Sequence, residues 1–149
     1  SNMLNPASSI DGIDISAEML AQAAESLSAD NRHGRMQQAD LARLPFSSRR
    51  FDLVMSAHTL EHLPSFNTGL EEMMRVVKPG GLLLIVVTQP GIWGRWIQHR
   101  WRIQLLTEEG LINQLEQLGL TEIRSYPLSG SIWSTNGSVA LIGRLPAVC

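Results

Sequence analysis

The sequence predicts an α/β fold with a doubly wound, mostly parallel sheet that ends in an antiparallel edge strand. Short apolar segments alternate along the chain with segments whose apolar residues recur at the helical period of about 3.6 residues. Residues 82–88 (LLLIVVT) are apolar without alternation, which is typical of a strand covered on both faces. The last two apolar segments lie too close together for a helical crossover, so we expect an antiparallel pair at the sheet edge.

The first third of the chain predicts a strand, a helix and a second strand. Residues 10–15 (IDGIDI) are short and rich in isoleucine, as strands are. Ser16 is a good helix N-cap, and Glu18 suits the positive end of the helix that follows. Residues 35–39 predict the second strand.

The rest of the chain continues the alternation. Residues 51–57 (FDLVMSA) predict a strand, and the helix after it stops at residues 78–81 (KPGG), because proline cannot continue a helix and glycine accepts positive φ. Thr107 is the expected N-cap of a further helix. Residues 120–126 and 138–145 predict the two closing strands.

The composition and charge of the chain limit the kinds of molecule that it is expected to bind. The chain has 149 residues with 44% hydrophobic and 17% charged, which is typical of one globular domain. We expect residues 1–9 to be a tag remnant or tail and residues 10–149 to form that domain. No apolar run approaches the roughly 20 residues of a membrane helix, and the net charge of −2 gives no field to attract nucleic acid. Cys149 is the only cysteine, which predicts a cytoplasmic location.

Two aspartates follow the first two predicted strands, where open α/β sheets bind their ligands. Asp14, followed by Ile15, could accept hydrogen bonds from a ribose diol, and Asp40 could accept one from an exocyclic amine while the Leu41 amide meets a ring nitrogen. Each also has a purely structural interpretation. Asp14 could be an extra helix cap, and Asp40 taken alone is more often a turn aspartate.

Five segments in this order resemble the class I S-adenosylmethionine-dependent methyltransferases, in the small-molecule or "type 11" group. They are GIDIS, ADLARLPF, FDLVMSAHTLEHLP, MMRVVKPGGLLLIV and LTEEGLINQLEQLGLTEI. The resemblance implies a Rossmann-like sheet, S-adenosylmethionine as cofactor and methyl transfer to a small-molecule acceptor. It implies that the cofactor-binding residues are Asp14, Ile15, Asp40, Leu41, Ser56 and Ala57. It also implies that His58 faces the acceptor, where it could act as a general base.

The sequence departs from this family at its beginning. The family has a first, central strand that ends in a G-x-G-x-G loop, and no G-x-G occurs in this chain. We therefore expect a truncated domain without that strand, and either a rearranged sheet, a homodimer through the exposed edges, or a fragment whose missing part lies upstream. Activity is then in doubt, and the alternative is a non-catalytic dimerising or weak nucleoside-binding module.

Two further motifs carry alternatives. His58, Glu61 and His62 fit the H-x-x-E-H pattern of zinc hydrolases, but Pro64 leaves little room for the helix that such a site needs, so we expect no metal. Residues 90–105 are expected to form a lid over the acceptor, with Trp93, Trp96 and Trp101 as its aromatic wall. The same segment could instead be a surface helix at a membrane or a platform for stacking bases.

Overall fold

The structure is a computed structural model that describes residues 9–30, 32, 34–88, 107–128 and 138–147. They divide into two compact units, Ser1–Pro45 and Phe46–Cys149. The lid expected at residues 90–105 lies outside the described residues. None of the helices in the described part of the chain is long and apolar enough to cross a membrane.

The first unit is a strand–helix–strand element. Strand β1 (Ile10–Asp14) pairs in parallel with β2 (Gly34–Gln38), and helix α1 (Ala17–Ala29) connects them. Helix α1 begins as predicted at Ser16, whose hydroxyl oxygen accepts the Met19 N–H at 3.3 Å. The register pairs Asp14 with Gln38, so both strands end at the same edge.

The second unit is a mixed sheet with helices. Its elements are β3 (Phe51–Ala57), a 3-10 turn (Leu60–His62), α2 (Phe66–Val76), β4 (Val77–Thr88), α3 (Glu108–Gln117), β5 (Thr121–Leu128) and β6 (Ser138–Arg144). The strand order is β3-β4-β6-β5; β3 and β4 are parallel, and β6 is antiparallel to both of its neighbours. The antiparallel pair expected at the edge of the sheet is therefore confirmed.

The boundary between α2 and β4 differs from the prediction. Val77, expected on the helix, is extended at φ −76° and ψ 142° and begins β4. Pro79 disfavours the helical region for Lys78, directly before it, so the helix has to end before Lys78. The KPGG segment lies inside β4, where the β3–β4 register shifts between Phe51 and Leu53. Gly80 has φ +78°, and a Cβ on Gly81 would lie 3.0 Å from the Asp52 carbonyl oxygen, so both positions favour glycine.

The core of the second unit forms between one face of β4 and the helices. In β4 the alternate residues Leu83, Ile85 and Val87 are buried and their neighbours are half-buried. Side chains of a strand alternate between its two faces, so one face of β4 is fully packed among the described residues and the other is partly covered. The buried residues contributed by helices are Phe66, Leu70, Met73, Val76, Leu111 and Leu115.

Among the described strands, β1 and β3 are two of the four that have a neighbour on one side only. Hydrogen bonding joins β1 to β2 and joins β3 to β4, and among the described strands none pairs with the other edge of β1 or of β3. These are the two strands that would flank the central strand of the resembled family. The described residues thus form two separate sheets, one of two strands and one of four.

Replacing Leu70 by alanine tests the packing of α2. Leu70 is fully buried, so Leu70→Ala is expected to lower the free energy of unfolding by about 2–5 kcal/mol, measured by urea denaturation. Leu128 is 38% exposed on β5, and Leu128→Ala is expected to cost less than about 1 kcal/mol. Equal losses from the two substitutions would contradict this description of the core.

Candidate functional site

The two predicted aspartates follow neighbouring parallel strands. Asp14 is the last residue of β1, and its carbonyl oxygen accepts the Ala39 N–H at 3.1 Å, immediately before Asp40. Adjacent strands of a sheet lie about 4.8 Å apart, so the chain brings both residues to the carboxyl edge of one strand pair. This is the edge at which open α/β sheets bind ligands.

Asp14 shapes the turn that leads into α1. Its Oδ1 accepts the Ser16 N–H at 2.8 Å, and the Gln38 side-chain amide donates to the Ile15 carbonyl oxygen at 2.8 Å. The capping interpretation of Asp14 is therefore correct for one of its oxygens. Within the described part of the chain, Oδ2 accepts no hydrogen bond. The neighbouring Ile15 side chain is 73% exposed, which is unusual for isoleucine and gives this edge an apolar surface.

Asp40 forms a tight turn and leaves one amide beside it unused. Its Oδ1 accepts the Ala42 N–H at 2.8 Å, and its carbonyl oxygen accepts the Arg43 N–H at 3.0 Å. The Leu41 side chain is buried, while its N–H donates to no acceptor among the described residues. An exposed carboxylate and a free amide donor therefore stand on consecutive residues.

In the second unit, Ser56, Ala57 and His58 lie at the carboxyl end of β3. Ser56 is buried, and its hydroxyl oxygen has no hydrogen-bond partner within the part of the chain that the structure describes. Ala57 is exposed. His58 has φ +53°, a left-handed conformation that is rare and strained outside glycine, and its N–H donates to the Val86 carbonyl oxygen at 2.9 Å.

The His58 ring belongs to a cluster with Glu61 and Thr88. Nδ1 lies 3.2 Å from Glu61 Oε1 and 3.3 Å from Thr88 Oγ1. The Thr88 N–H donates to the same Glu61 oxygen at 2.5 Å. The Glu61 side chain is 2% exposed and that of His58 is 48% exposed, so a buried carboxylate holds the inner nitrogen of a half-exposed imidazole.

The two ionisable groups of this cluster stabilise each other's charged forms. The hydrogen bond with Glu61 raises the pKa of His58 above its usual 6.5; burial opposes that shift, and the Glu61 charge adds to it. Burial acts to raise the pKa of Glu61. The hydrogen bonds from His58 and Thr88, together with the histidine charge, outweigh burial, so the pKa of Glu61 lies below its usual value.

The zinc-hydrolase alternative finds no support in this geometry. Such a site needs both histidines on one helix, one turn apart. Here the 3-10 turn covers only Leu60–His62, and His58 lies before it in a left-handed conformation. Among the described residues no three His, Cys, Asp or Glu side chains are grouped so that they could hold a metal ion.

Sequence reasoning named Glu61 only as part of the zinc motif and missed its contact with Thr88. The signal in the sequence is a glutamate between Leu60 and His62, but its partner lies 27 residues further along the chain. The expected acceptor-binding residues Trp93, Trp96 and Trp101 lie outside the described residues.

Known proteins match the chain in sequence and in fold. The family described as "Methyltransferase domain" matches residues 1–85. The demethylmenaquinone methyltransferase of Desulfitobacterium hafniense (strain Y51) is 30% identical over 167 aligned residues, which cover 92% of this chain and 64% of that protein. The chain thus spans less than two thirds of the length of this relative.

Two solved structures share the fold at lower identity. The CurJ carbon methyltransferase has a TM-score of 0.76 at 22% identity, covering 97% of this chain and 44% of its own. The [4+2]-cyclase SpnF has a TM-score of 0.73 at 18% identity, covering 94% and 68%. At these identities the likeness shows the Rossmann-like fold and not the reaction.

The sequence match therefore decides the family. It covers more than half of the 149 residues and includes β1, β2, β3 and most of β4. The chain belongs to the methyltransferase-domain family of class I S-adenosylmethionine-dependent methyltransferases.

Proposed function

We propose that the first unit binds the adenosine part of S-adenosylmethionine and that the chain takes part in methyl transfer to a small-molecule acceptor. The observation that carries the proposal is the shared edge of β1 and β2, where Asp14 and Asp40 each keep one carboxylate oxygen without a partner among the described residues. Polar groups of this kind, next to an apolar surface, are what a nucleoside needs.

The chemistry of adenosine matches these groups one by one. An ionised carboxylate only accepts hydrogen bonds, so Asp14 Oδ2 suits the two hydroxyl groups of a ribose. Adenine presents an amine that donates beside a ring nitrogen that accepts. The carboxylate of Asp40 and the free N–H of Leu41 offer the complementary pair on consecutive residues. The exposed Ile15 side chain supplies apolar surface at the same edge.

The residues described here thus fit the nucleoside portion of the cofactor. When bound, S-adenosylmethionine supplies a methyl group on a positively charged sulfur. In the second unit, Ser56 has a buried hydroxyl without a partner among the described residues, and the proposal assigns it and Ala57 to cofactor binding. His58 is proposed as the base on the acceptor side. The protein's main contribution is to hold the reacting groups in line.

The name of the Desulfitobacterium hafniense relative suggests an acceptor. That relative is a demethylmenaquinone methyltransferase. We therefore propose that the acceptor of this chain is a molecule similar to demethylmenaquinone. The cytoplasmic location expected from the single cysteine belongs to the same proposal.

The alternative is a non-catalytic module that binds nucleoside or dimerises through a sheet edge. It is favoured by the edges of β1 and β3, which have no partner among the described strands. The two functions differ in one respect that can be measured, namely whether methyl transfer accompanies binding.

Substituting the two aspartates tests adenosine binding. Asp14→Asn and Asp40→Asn keep an oxygen for the turn hydrogen bonds but place an amide donor where the nucleoside needs an acceptor. Each is expected to weaken S-adenosylmethionine binding by about 10- to 100-fold, measured by calorimetry on the full chain. Asp30→Asn, at the exposed end of α1, is the matched control and is expected to bind as the unsubstituted chain does. Equal affinity in all three variants, or no binding by the unsubstituted chain, would contradict the proposal.

Transfer of a labelled methyl group tests catalysis. With methyl-labelled S-adenosylmethionine and demethylmenaquinone, the unsubstituted chain is expected to label the lipid-soluble acceptor, and His58→Gln to reduce kcat by about 100-fold or more because the base is lost. Binding of S-adenosylmethionine without any labelling would instead favour the non-catalytic alternative. Full activity in His58→Gln would remove His58 from the proposal.

A further inference from the structure

We propose that Glu61 is the positioning residue for His58, fixing its ring so that Nε2 takes a proton from an acceptor that loses one as it is methylated. The inference rests on the proposed function and adds to it a residue and a substrate class. Three observations carry it: the burial of Glu61, the contacts of its carboxylate, and the nitrogen of His58 to which it is bound.

Glu61 is a buried charge with fixed partners. Its side chain is 2% exposed, and Oε1 accepts the Thr88 N–H at the end of β4 while also meeting His58 Nδ1. A buried carboxylate is costly unless it is paired and hydrogen-bonded, so a glutamate at this buried position needs a reason. A glutamate that only capped the end of β4 would need the Thr88 N–H alone. The second contact, with a half-exposed histidine, is the one that points to function.

The contact with Glu61 decides which nitrogen of His58 can act as a base. An ionised carboxylate cannot donate, so Nδ1 must carry the hydrogen that joins it to Oε1. In the neutral ring the lone pair is then on Nε2, which has no partner among the described residues. The left-handed backbone at φ +53° sets the direction from which the ring meets Glu61. Strain of this kind persists where the surrounding structure holds it, as around a functional group.

Among the described residues, Glu61 is the charged group that shifts the pKa of the His58 ring. His58 lies between β3, the 3-10 turn and the end of β4. On the turn, Glu61 is the charged neighbour that shifts the histidine, and His62 follows it without a bond to the His58 ring. The neutral Thr88 faces the ring from β4. The remaining charged residues of the two strands, Asp52 and Lys78, lie at their other ends and pair with each other at 2.8 Å.

A base at Nε2 is useful only for some acceptors. When an O–H, N–H or acidic C–H group is methylated, the acceptor atom forms its bond to the methyl carbon, the carbon–sulfur bond breaks with its electron pair left on sulfur, and the acceptor proton passes to Nε2. A thioether or a tertiary amine has no proton to lose and needs no base. The cluster therefore indicates an acceptor with an ionisable proton, such as a hydroxyl group on an aromatic ring.

Nuclear magnetic resonance of the full chain tests the positioning role without cofactor or acceptor. His58, one of four histidines, is assigned by the signal lost in His58→Gln. The unsubstituted chain is expected to show the Nδ1–H tautomer and a pKa above 6.5. In Glu61→Gln the negative charge and the charge-assisted hydrogen bond are lost while burial remains, so the pKa of His58 is expected to fall relative to the unsubstituted chain and the tautomer preference to weaken. Glu71→Gln removes the same charge from an exposed site on α2 and is expected to leave both unchanged. An unaltered His58 signal in folded Glu61→Gln would overturn the proposal.

The pH profile of methyl transfer tests the catalytic consequence. Activity should rise with pH as His58 loses its proton, and in Glu61→Gln this rise should move to lower pH while kcat falls by at least about 10-fold and S-adenosylmethionine affinity is kept. Glu61→Gln with His58→Gln together should cost no more than His58→Gln alone. An unchanged profile and kcat in Glu61→Gln would overturn the role of Glu61. Failure to bind S-adenosylmethionine would overturn the proposed function instead, and the resonance experiment still decides the role of Glu61.

Discussion

The parallel pairing of β1 with β2 is the constraint on which the cofactor side of this account depends. Parallel strands end at the same edge, and the register that joins Asp14 to Gln38 leaves Asp40 two residues beyond that pair. A shift of one residue would turn the side chains of a strand to the opposite face. The Gln38 amide bonded to the Ile15 carbonyl oxygen and the Ala39 N–H bonded to Asp14 fix the same register just outside the strands.

In the second unit, the parallel strands β3 and β4 likewise end at one edge, but the polar groups at that edge are of different types. At the ends of β3 and β4 the polar groups are a hydroxyl, an imidazole and a carboxylate, and Glu61 ties the turn after β3 to the end of β4 through Thr88. In the first unit, Asp14 and Asp40 each use one carboxylate oxygen in a local turn, and the other has no partner among the residues that the structure describes. Glu61 instead uses Oε1 for two contacts, one with the His58 ring and one with the Thr88 N–H. The first arrangement is typical of ligand binding, and the second of positioning.

Much of this fold follows from local sequence signals, and the exceptions have physical causes. Ser16 and Thr107 cap their helices as predicted, because a side-chain oxygen next to unpaired amides is a local effect. Asp14 and Asp40 could be found because the ends of strands are visible in the sequence. Val77 was assigned to the wrong element, since helical periodicity includes it while Pro79 restricts Lys78 and the helix ends before both. The role of Glu61 depends on burial and on a contact across 27 residues, neither of which has a local signature.

The most direct test of the central claim is an amide resonance titration of the full chain with S-adenosylhomocysteine, the demethylated form of the cofactor. If the edge of β1 and β2 binds adenosine, the Leu41 N–H acquires an acceptor. Its resonance should then shift further than the resonances of the amides in α1 and β2. The Ile15 amide, next to the ribose contact of Asp14, should shift with it at the same ligand concentration. Shifts confined to other parts of the chain, with Leu41 and Ile15 unmoved at saturation, would contradict the account.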